Sequence, residues 1–279
     1  MVVGQGSGGD GRSRVVALGA PFDQAAPFDQ AALSKLGHEL RGPLTGIIGL
    51  SGLISRKMTQ GGGDPAQWAR QLEMIRGSAA ELLTTAERVS DLARLGAEPP
   101  GESSAFDCRP VVTEVAEALR PAAAERGRRI VTGIPPEPVG VTGDPDDLRR
   151  LLVELVDNAV KYGDGTELHL DVRRDSATPE IDVRDDGPGI APDELGRVLR
   201  PFERGAAAHE RGETGTGLGL CIAARLATRS GARLAMHSGP AGTRATVTLV
   251  ATQAPEQPGQ SEHPWPPSSS STTAPPTGR

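Results

Sequence analysis

The chain has 279 residues, 24% of them charged and only 3% aromatic, with a formal net charge of −6. This length allows two small domains with irregular ends, and so few aromatics mean that any core is built from Leu, Val, Ile and Ala. The acidic balance without a long Lys/Arg cluster argues against nucleic acid as a partner, and no apolar run of ~20 residues is present to span a membrane.

No secretion signal opens the sequence, and Cys108 and Cys221 have neither disulfide-framework nor metal-site spacing. A soluble protein of a reducing cytoplasm is expected. Residues 1–27, rich in glycine and polar residues, read as a disordered N-terminal segment. It runs into a tandem PFDQAA, Pro21–Ala26 and Pro27–Ala32, a small duplication leading into a helix.

Residues 28–97 read as a helical hairpin. Leu33, Leu40, Ile47 and Ile54 recur every seven residues, with Leu36 and Leu50 three positions after Leu33 and Ile47. That is the a/d seam of a helix packed on other helices. His38 falls at position f of this register, facing away from the seam, and Glu39 follows it at once. An outward histidine is either a solvated side chain or a group offered to a second domain. The same stretch carries Gly37, Gly42, Gly46, Gly49, Gly52 and Pro43. Each glycine costs roughly 1 kcal/mol relative to Ala and an interior proline about 3. Packing must therefore hold the helix, and Pro43 predicts a kink just after His38.

Met58 to Pro65 reads as a turn, with Asp64 and Pro65 as cap and first-turn residue of a second helix. There Trp68, Ile75, Leu82 and Val89 repeat every seven residues, interleaved with Leu72, Ala79, Ala86 and Ala93. Two antiparallel helices cannot bury both seams alone, so a homodimeric four-helix bundle is expected.

Residues 98–106, with Pro99 and Pro100, read as a linker, and 107–251 as an α/β domain. Its helices are expected over Val111–Arg126 (stopped by Gly127), Asp146–Lys161 and Leu218–Ser230. Strands are expected from Ile130, at Leu168–Val172 and Ile181–Val183, and near Leu234–Met236 and Thr243–Val250. The result would be one helical layer on a largely antiparallel sheet. Residues 252–279, dominated by Pro, Ser, Thr and Gln, read as a disordered tail.

Three features of this domain bear on chemistry. In ELVDNAVKY, Glu154, Asn158 and Lys161 or Tyr162 share one helix face. Carboxylate and amide oxygens suit Mg²⁺ when phosphates complete its shell, although the face is equally readable as a plain polar stripe. In DVRDDGPGI a strand delivers Asp185 to a turn with Gly187 and Gly189. Such an aspartate can accept a hydrogen bond from an exocyclic amine such as that of adenine; an ordinary strand-ending turn is the alternative. In GETGTGLGL, Gly215, Gly217 and Gly219 stand directly before a helix, where bare backbone N–H groups cradle phosphate unless the string is a linker.

In this order, residues of about Phe28 to Val250 resemble the sensor histidine kinases of two-component systems. His38-Glu39-Leu40-Arg41-Gly42-Pro43-Leu44 looks like their H box, and Asp157-Asn158-Ala159-Val160-Lys161-Tyr162 like their N box. Asp185-Asp186-Gly187-Pro188-Gly189-Ile190 is similar to the first glycine box. Pro201-Phe202-Glu203-Arg204-Gly205 resembles the F box, and Gly215-Thr216-Gly217-Leu218-Gly219-Leu220 the second glycine box.

The resemblance implies a dimerising phosphoacceptor hairpin followed by a Bergerat-type α/β sandwich that binds ATP and Mg²⁺. Asn158, with Glu154, would hold Mg²⁺, Asp185 would read adenine, and Tyr162 would line the nucleotide pocket. Lys161 and Arg204 would meet phosphates, while Gly187, Gly189, Gly215, Gly217, Leu218 and Gly219 would shape the phosphate loops. The 206–214 stretch has the small, polar composition of a mobile lid. His38 would be phosphorylated with help from Glu39 and would pass its phosphoryl group to the receiver domain of a separate response regulator.

Three departures stand out. Gly42 replaces the Thr or Asn of many relatives, which implies weak phosphatase activity. Glu154 replaces a second Asn and is similar to the water-activating Glu of gyrase-like ATPases. No sensor region is legible, so the signal arrives through an unknown partner, or the sequence is a fragment or has a misplaced start. Two rivals stay open: a Bergerat-fold ATPase, and an ATP-binding switch or scaffold whose His38 is never phosphorylated.

Overall fold

A computed structural model describes residues 14–18, 28–60, 64–97, 101–174, 178–211 and 215–252. A helical hairpin, α1 (Gln30–Thr59) and α2 (Pro65–Ala97), precedes an α/β domain. The α1 start is set by Asp29, which accepts the Ala32 N–H at 2.7 Å and so satisfies a first-turn donor. Asp64 does the same for α2, accepting from the Ala66 N–H at 3.0 Å, as expected. Helix α1 continues past Pro43, which has no N–H to donate to the Glu39 carbonyl.

The two helices pack along one seam. Trp68, Ile75, Leu82 and Val89 are half-buried, whereas the interleaved Leu72, Ala79, Ala86 and Ala93 are exposed. Leu33, expected on the α1 seam, is 53% exposed. The neighbouring Ala32 takes the buried position instead, because the first turn of α1 lies against the α/β domain, where Leu36 also packs.

The α/β domain consists of β2 (Ser104–Asp107), α3 (Arg109–Glu125), β3 (Arg129–Gly133), β4 (Gly140–Gly143), α4 (Pro145–Tyr162), β5 (Glu167–Arg173), β6 (Glu180–Asp185), α5 (Ala206–Glu210), α6 (Gly219–Arg229), β7 (Arg233–Gly239), β8 (Gly242–Thr248) and β9 (Val250–Ala251). With β1 (Arg14–Leu18), six strands form a sheet in the order β1-β7-β8-β6-β5-β3, and β2-β4-β9 form a second, small one. Among the described residues only β3 and β5 pair in parallel, so the largely antiparallel expectation holds.

Alternation along the strands decides which face is covered. Leu168, Leu170 and Val172 of β5, Ile181 and Val183 of β6, Leu234 and Met236 of β7, and Ala245 and Val247 of β8 are buried beneath α3, α4 and α6. On the other face Asp182 accepts from the Thr246 hydroxyl at 2.6 Å and pairs with Arg173 at 2.6 Å. Helix α4 starts at Asp144, whose carboxylate accepts the Asp146 N–H at 2.8 Å, with Pro145 pre-set for the first turn. Gly127, at φ +69°, ends the α3 region in a backbone conformation that side chains disfavour.

Two expected irregular segments need correction. Within residues 1–27, Arg14–Leu18 is a strand paired antiparallel with β7, in keeping with its Val-Val-Ala-Leu run. Within the 98–106 linker, Ser104–Asp107 is a strand paired with β4 and joins the second domain. The first PFDQAA copy, the core of the hairpin turn and nearly all of the 252–279 tail lie outside the described residues. Among the described residues no helix is long and apolar enough to cross a membrane.

Candidate functional site

A concavity opens between α4, the turn after β6, the segment before α6, and the ends of β7 and β8. Helix α4 turns Leu148, Leu151, Leu152, Leu155 and Val156 into the core. Its remaining face carries Glu154, Asn158, Lys161 and Tyr162 towards the concavity. Asn158, Lys161 and Tyr162 line it directly.

Glu154 stands behind them, beside the first residue of α6. A side chain at Gly219 would begin 2.7 Å from Oε2 of Glu154 and 3.1 Å from Nδ2 of Asn158. Glycine there lets the start of α6 press against both groups. Neither Oε2 of Glu154 nor Nδ2 of Asn158, both buried, makes a hydrogen bond. Burial pushes the Glu154 carboxyl above the usual carboxylate range, and the neighbouring Arg88 guanidinium opposes that rise. Lys161 is held at 2.5 Å by Asp157, one turn earlier.

Asp185 ends β6 and accepts the N–H of Gly187 at 2.9 Å and of Thr243 at 3.3 Å. Burial pushes its carboxyl up, while these two N–H groups pull it back down. Gly187 does not line the concavity. It braces the turn, because a side chain there would begin 2.5 Å from the Tyr162 carbonyl and 2.9 Å from the Asp185 carboxylate. Gly189 lines the concavity at φ +72°, pressed against the backbone of Gly239.

Gly215, Gly217 and Gly219 all line the opposite wall, whereas Leu218 is fully buried and anchors α6 in the core. Gly217, at φ +66°, touches the backbone of Phe202 and Glu203. Phe202 is itself left-handed, at φ +60°, and its N–H donates to the Gly217 carbonyl at 3.0 Å. Its ring stacks against Phe28 before α1, with centroids 6.2 Å apart. Arg204 lines the wall beside this turn and donates to the Ala208 carbonyl of α5 at 3.4 Å.

Nine of the eleven residues expected around ATP therefore line one concavity: Asn158, Lys161, Tyr162, Asp185, Gly189, Arg204, Gly215, Gly217 and Gly219. His38 and Glu39 do not line it; both are exposed on α1. One turn before His38, Lys35 pairs with Glu203 on the rim. The sequence reading missed Arg88, Glu194, Arg211, Met236 and Thr243, which also line the concavity. Their signals are tertiary: Thr243 is paired opposite Asp185 across the sheet, and Arg88 comes from the hairpin.

Comparison with known proteins agrees with this architecture. Residues 143–253 match the family described as histidine kinase-, DNA gyrase B-, and HSP90-like ATPase, and residues 30–98 match the His kinase A (phospho-acceptor) domain. The chain is 31% identical over 226 residues to the histidine protein kinase DivJ of Caulobacter vibrioides, spanning 80% of this chain and 37% of DivJ. It thus covers little more than a third of that relative. The solved histidine kinase ThkA in complex with the response regulator protein TrrA superposes with a TM-score of 0.64 at 19% identity, over 80% of this chain and 62% of that one. Full-length ShkA in complex with AMPPNP gives a TM-score of 0.56 at 26% identity, over 81% of this chain and 47% of that one. With a phospho-acceptor hairpin joined to an ATPase domain in this order, the chain belongs to the two-component sensor histidine kinases.

Proposed function

We propose that the chain is an ATP-dependent protein-histidine kinase that phosphorylates His38 and hands the phosphoryl group to an aspartate on a separate response regulator. The observation that carries this reading is the convergence of an amide, a lysine, a strand-end aspartate and three bare glycines on one concavity, beside a domain that exposes a histidine. The ATP analogue bound to ShkA and the response regulator bound to ThkA support it from relatives.

Each residue has a task that its surroundings suit. Asp185 accepts from the adenine amine, with its own orientation fixed by Gly187 and Thr243 N–H groups. Tyr162 flanks the base, while Lys161 and Arg204 meet phosphates, Lys161 by leaving Asp157. The N–H groups around Gly215, Gly217 and Gly219 cradle phosphate oxygens because no Cβ blocks them. A neutral His38 ring nitrogen attacks the γ-phosphorus, the bond to the bridging oxygen breaks, and ADP leaves. The proton on the other ring nitrogen passes to Glu39, which also orients the ring.

The residues present fit Mg²⁺. Glu154 has a buried oxygen without a hydrogen bond, one helical turn from the unsatisfied Asn158 amide. Among the described residues no three His, Cys, Asp or Glu converge, so any ion held here needs phosphate oxygens as well. When bound, it offsets charge on the transferring phosphoryl group.

Exposed Leu44, Ile48, Leu72 and Leu83 on the hairpin leave an apolar face that a second copy would cover, making the four-helix bundle. Gly42, without a side chain to position water, gives weak phosphatase activity towards the regulator. The reaction belongs in the cytoplasm, where Mg·ATP is available.

The unpaired Oε2 of Glu154 favours one second reading, a general base that activates water for ATP hydrolysis. Incubation with γ-labelled Mg·ATP and quantitation of the label separates the two. Label on the protein that chases onto a receiver domain supports the kinase; free phosphate with unlabelled protein supports the ATPase and overturns the kinase.

A further inference from the structure

Among the residues lining the concavity, Arg88 alone comes from the hairpin. Its Nη2 lies 3.5 Å from Oε2 of Glu154 and 3.5 Å from Oδ2 of Asp157, with the side chain 22% exposed. Asp157 has a closer cation in Lys161, at 2.5 Å. Glu154 has none closer than Arg88, and Oε2 accepts no hydrogen bond from it. At this range the guanidinium offsets the charge of both acids, with one long hydrogen bond donated to Asp157 and none to Glu154.

The hairpin also packs Ala32 and Leu92 into the core of the α/β domain, and its remaining contacts to that domain differ in kind from the Arg88 pair. Lys35–Glu203 and Asp91–Arg150, the latter at 3.3 Å, are exposed on at least one side, and Phe28 against Phe202 is a ring contact. Exposed pairs of this sort contribute little. Arg88 holds the one cross-domain contact made to Glu154, the carboxylate assigned above to the metal.

We propose that Arg88 is a stand-in cation. It balances Glu154 and Asp157 while α2 is docked on α4, and it is displaced by a divalent metal that arrives with nucleotide. Two cations then compete for one carboxylate, the doubly charged ion at closer range. Loading of metal-nucleotide and docking of α2 on α4 oppose each other, and by linkage each weakens the other by the same factor. Filling the pocket thereby loosens the ATPase domain from the resting hairpin. This proposal rests on the reading of the pocket as a Mg·ATP site.

The test uses the full chain as wild type, Arg88→Gln and Arg88→Lys, titrated with AMPPNP in Mg²⁺ and in EDTA by calorimetry. Domain separation is followed with spin labels at Thr84→Cys and Arg174→Cys, diluted with unlabelled chain. Both native cysteines are buried, which keeps the labelling selective. Arg88→Gln is expected to tighten Mg·AMPPNP by roughly fivefold, the worth of one part-buried ion pair, and to leave AMPPNP in EDTA unchanged. The label distance in wild type lengthens with Mg·AMPPNP but not with AMPPNP in EDTA. In Arg88→Gln it is already lengthened, and Arg88→Lys, which keeps the charge, follows wild type. Weaker Mg·AMPPNP binding in Arg88→Gln makes Arg88 a phosphate ligand and overturns the proposal, as does a distance that ignores metal and variant alike. If wild type binds no AMPPNP at all, the Mg·ATP reading of the pocket falls as well; normal metal-dependent binding that is indifferent to Arg88 overturns the stand-in role alone.

Discussion

Replacing Gly217 with alanine separates the pocket from the fold. Gly217 sits at φ +66°, and an added Cβ would lie 2.9 Å from C of Phe202, 3.0 Å from N of Glu203 and 2.8 Å from its carbonyl oxygen. All three are backbone atoms, so no side chain can rotate away. A left-handed alanine costs roughly 1–2 kcal/mol. Relief of the contacts requires the two segments to part by about half an ångström, which lengthens the 3.0 Å Phe202 N–H to Gly217 carbonyl bond, worth about 1 kcal/mol. Phe202 is itself left-handed and buried, which leaves it little room to follow. The sum, about 2–3 kcal/mol, falls on the loop's pocket-forming conformation and predicts a loss of roughly 30- to 150-fold in nucleotide affinity. The core anchor Leu218 is untouched, so the melting temperature should move by only a few degrees. Calorimetric titration with AMPPNP beside a thermal melt reads both quantities. Affinity within about threefold of wild type would show that the Gly217 turn does not shape the site, and the phosphate-cradle argument would fail.

Three further outcomes follow from particular residues. Because burial raises the Glu154 carboxyl above 4.5, its ionised form costs stability once pH exceeds 4.5, and the cost grows as pH rises through the folded value. Glu154→Gln should therefore be more stable than wild type to urea at pH 7.5, the difference vanishing below pH 4.5, while metal-dependent nucleotide binding weakens; a variant less stable at pH 7.5 would contradict this. Cys108, with its thiol pushed up to about 11 by burial, and Cys221, also buried, should ignore a disulfide reagent at pH 8 until urea unfolds the domain. Gly77→Ala on α2, where an added Cβ meets nothing within 4 Å, should stabilise the hairpin by about 1 kcal/mol in chemical denaturation.

Legibility in the sequence followed the range of the interactions involved. Helix α4 announced itself through Asp144, Pro145 and two first-turn acids, and its observed bounds lie one residue outside those expected at each end. Strand β5 was legible because Leu168, Leu170 and Val172 alternate. Strands β4 and β9 were not, since four and two residues are too few to give a period to read. At the site, each glycine string was visible, but its use was not. Nothing local says that Gly219 must abut Glu154 and Asn158, that Gly187 braces rather than lines, or that Leu218 belongs to the core. Arg88 was invisible for the same reason: it reaches the concavity only when two domains meet.

The most direct test of the account is the chemical state of His38 after the purified chain is incubated with Mg·ATP. A phosphoramidate mapped to that imidazole, stable in alkali, lost in acid and absent from both His38→Gln and Asn158→Ala, is the predicted result. An unmodified His38 in a chain that demonstrably binds Mg·ATP would contradict it.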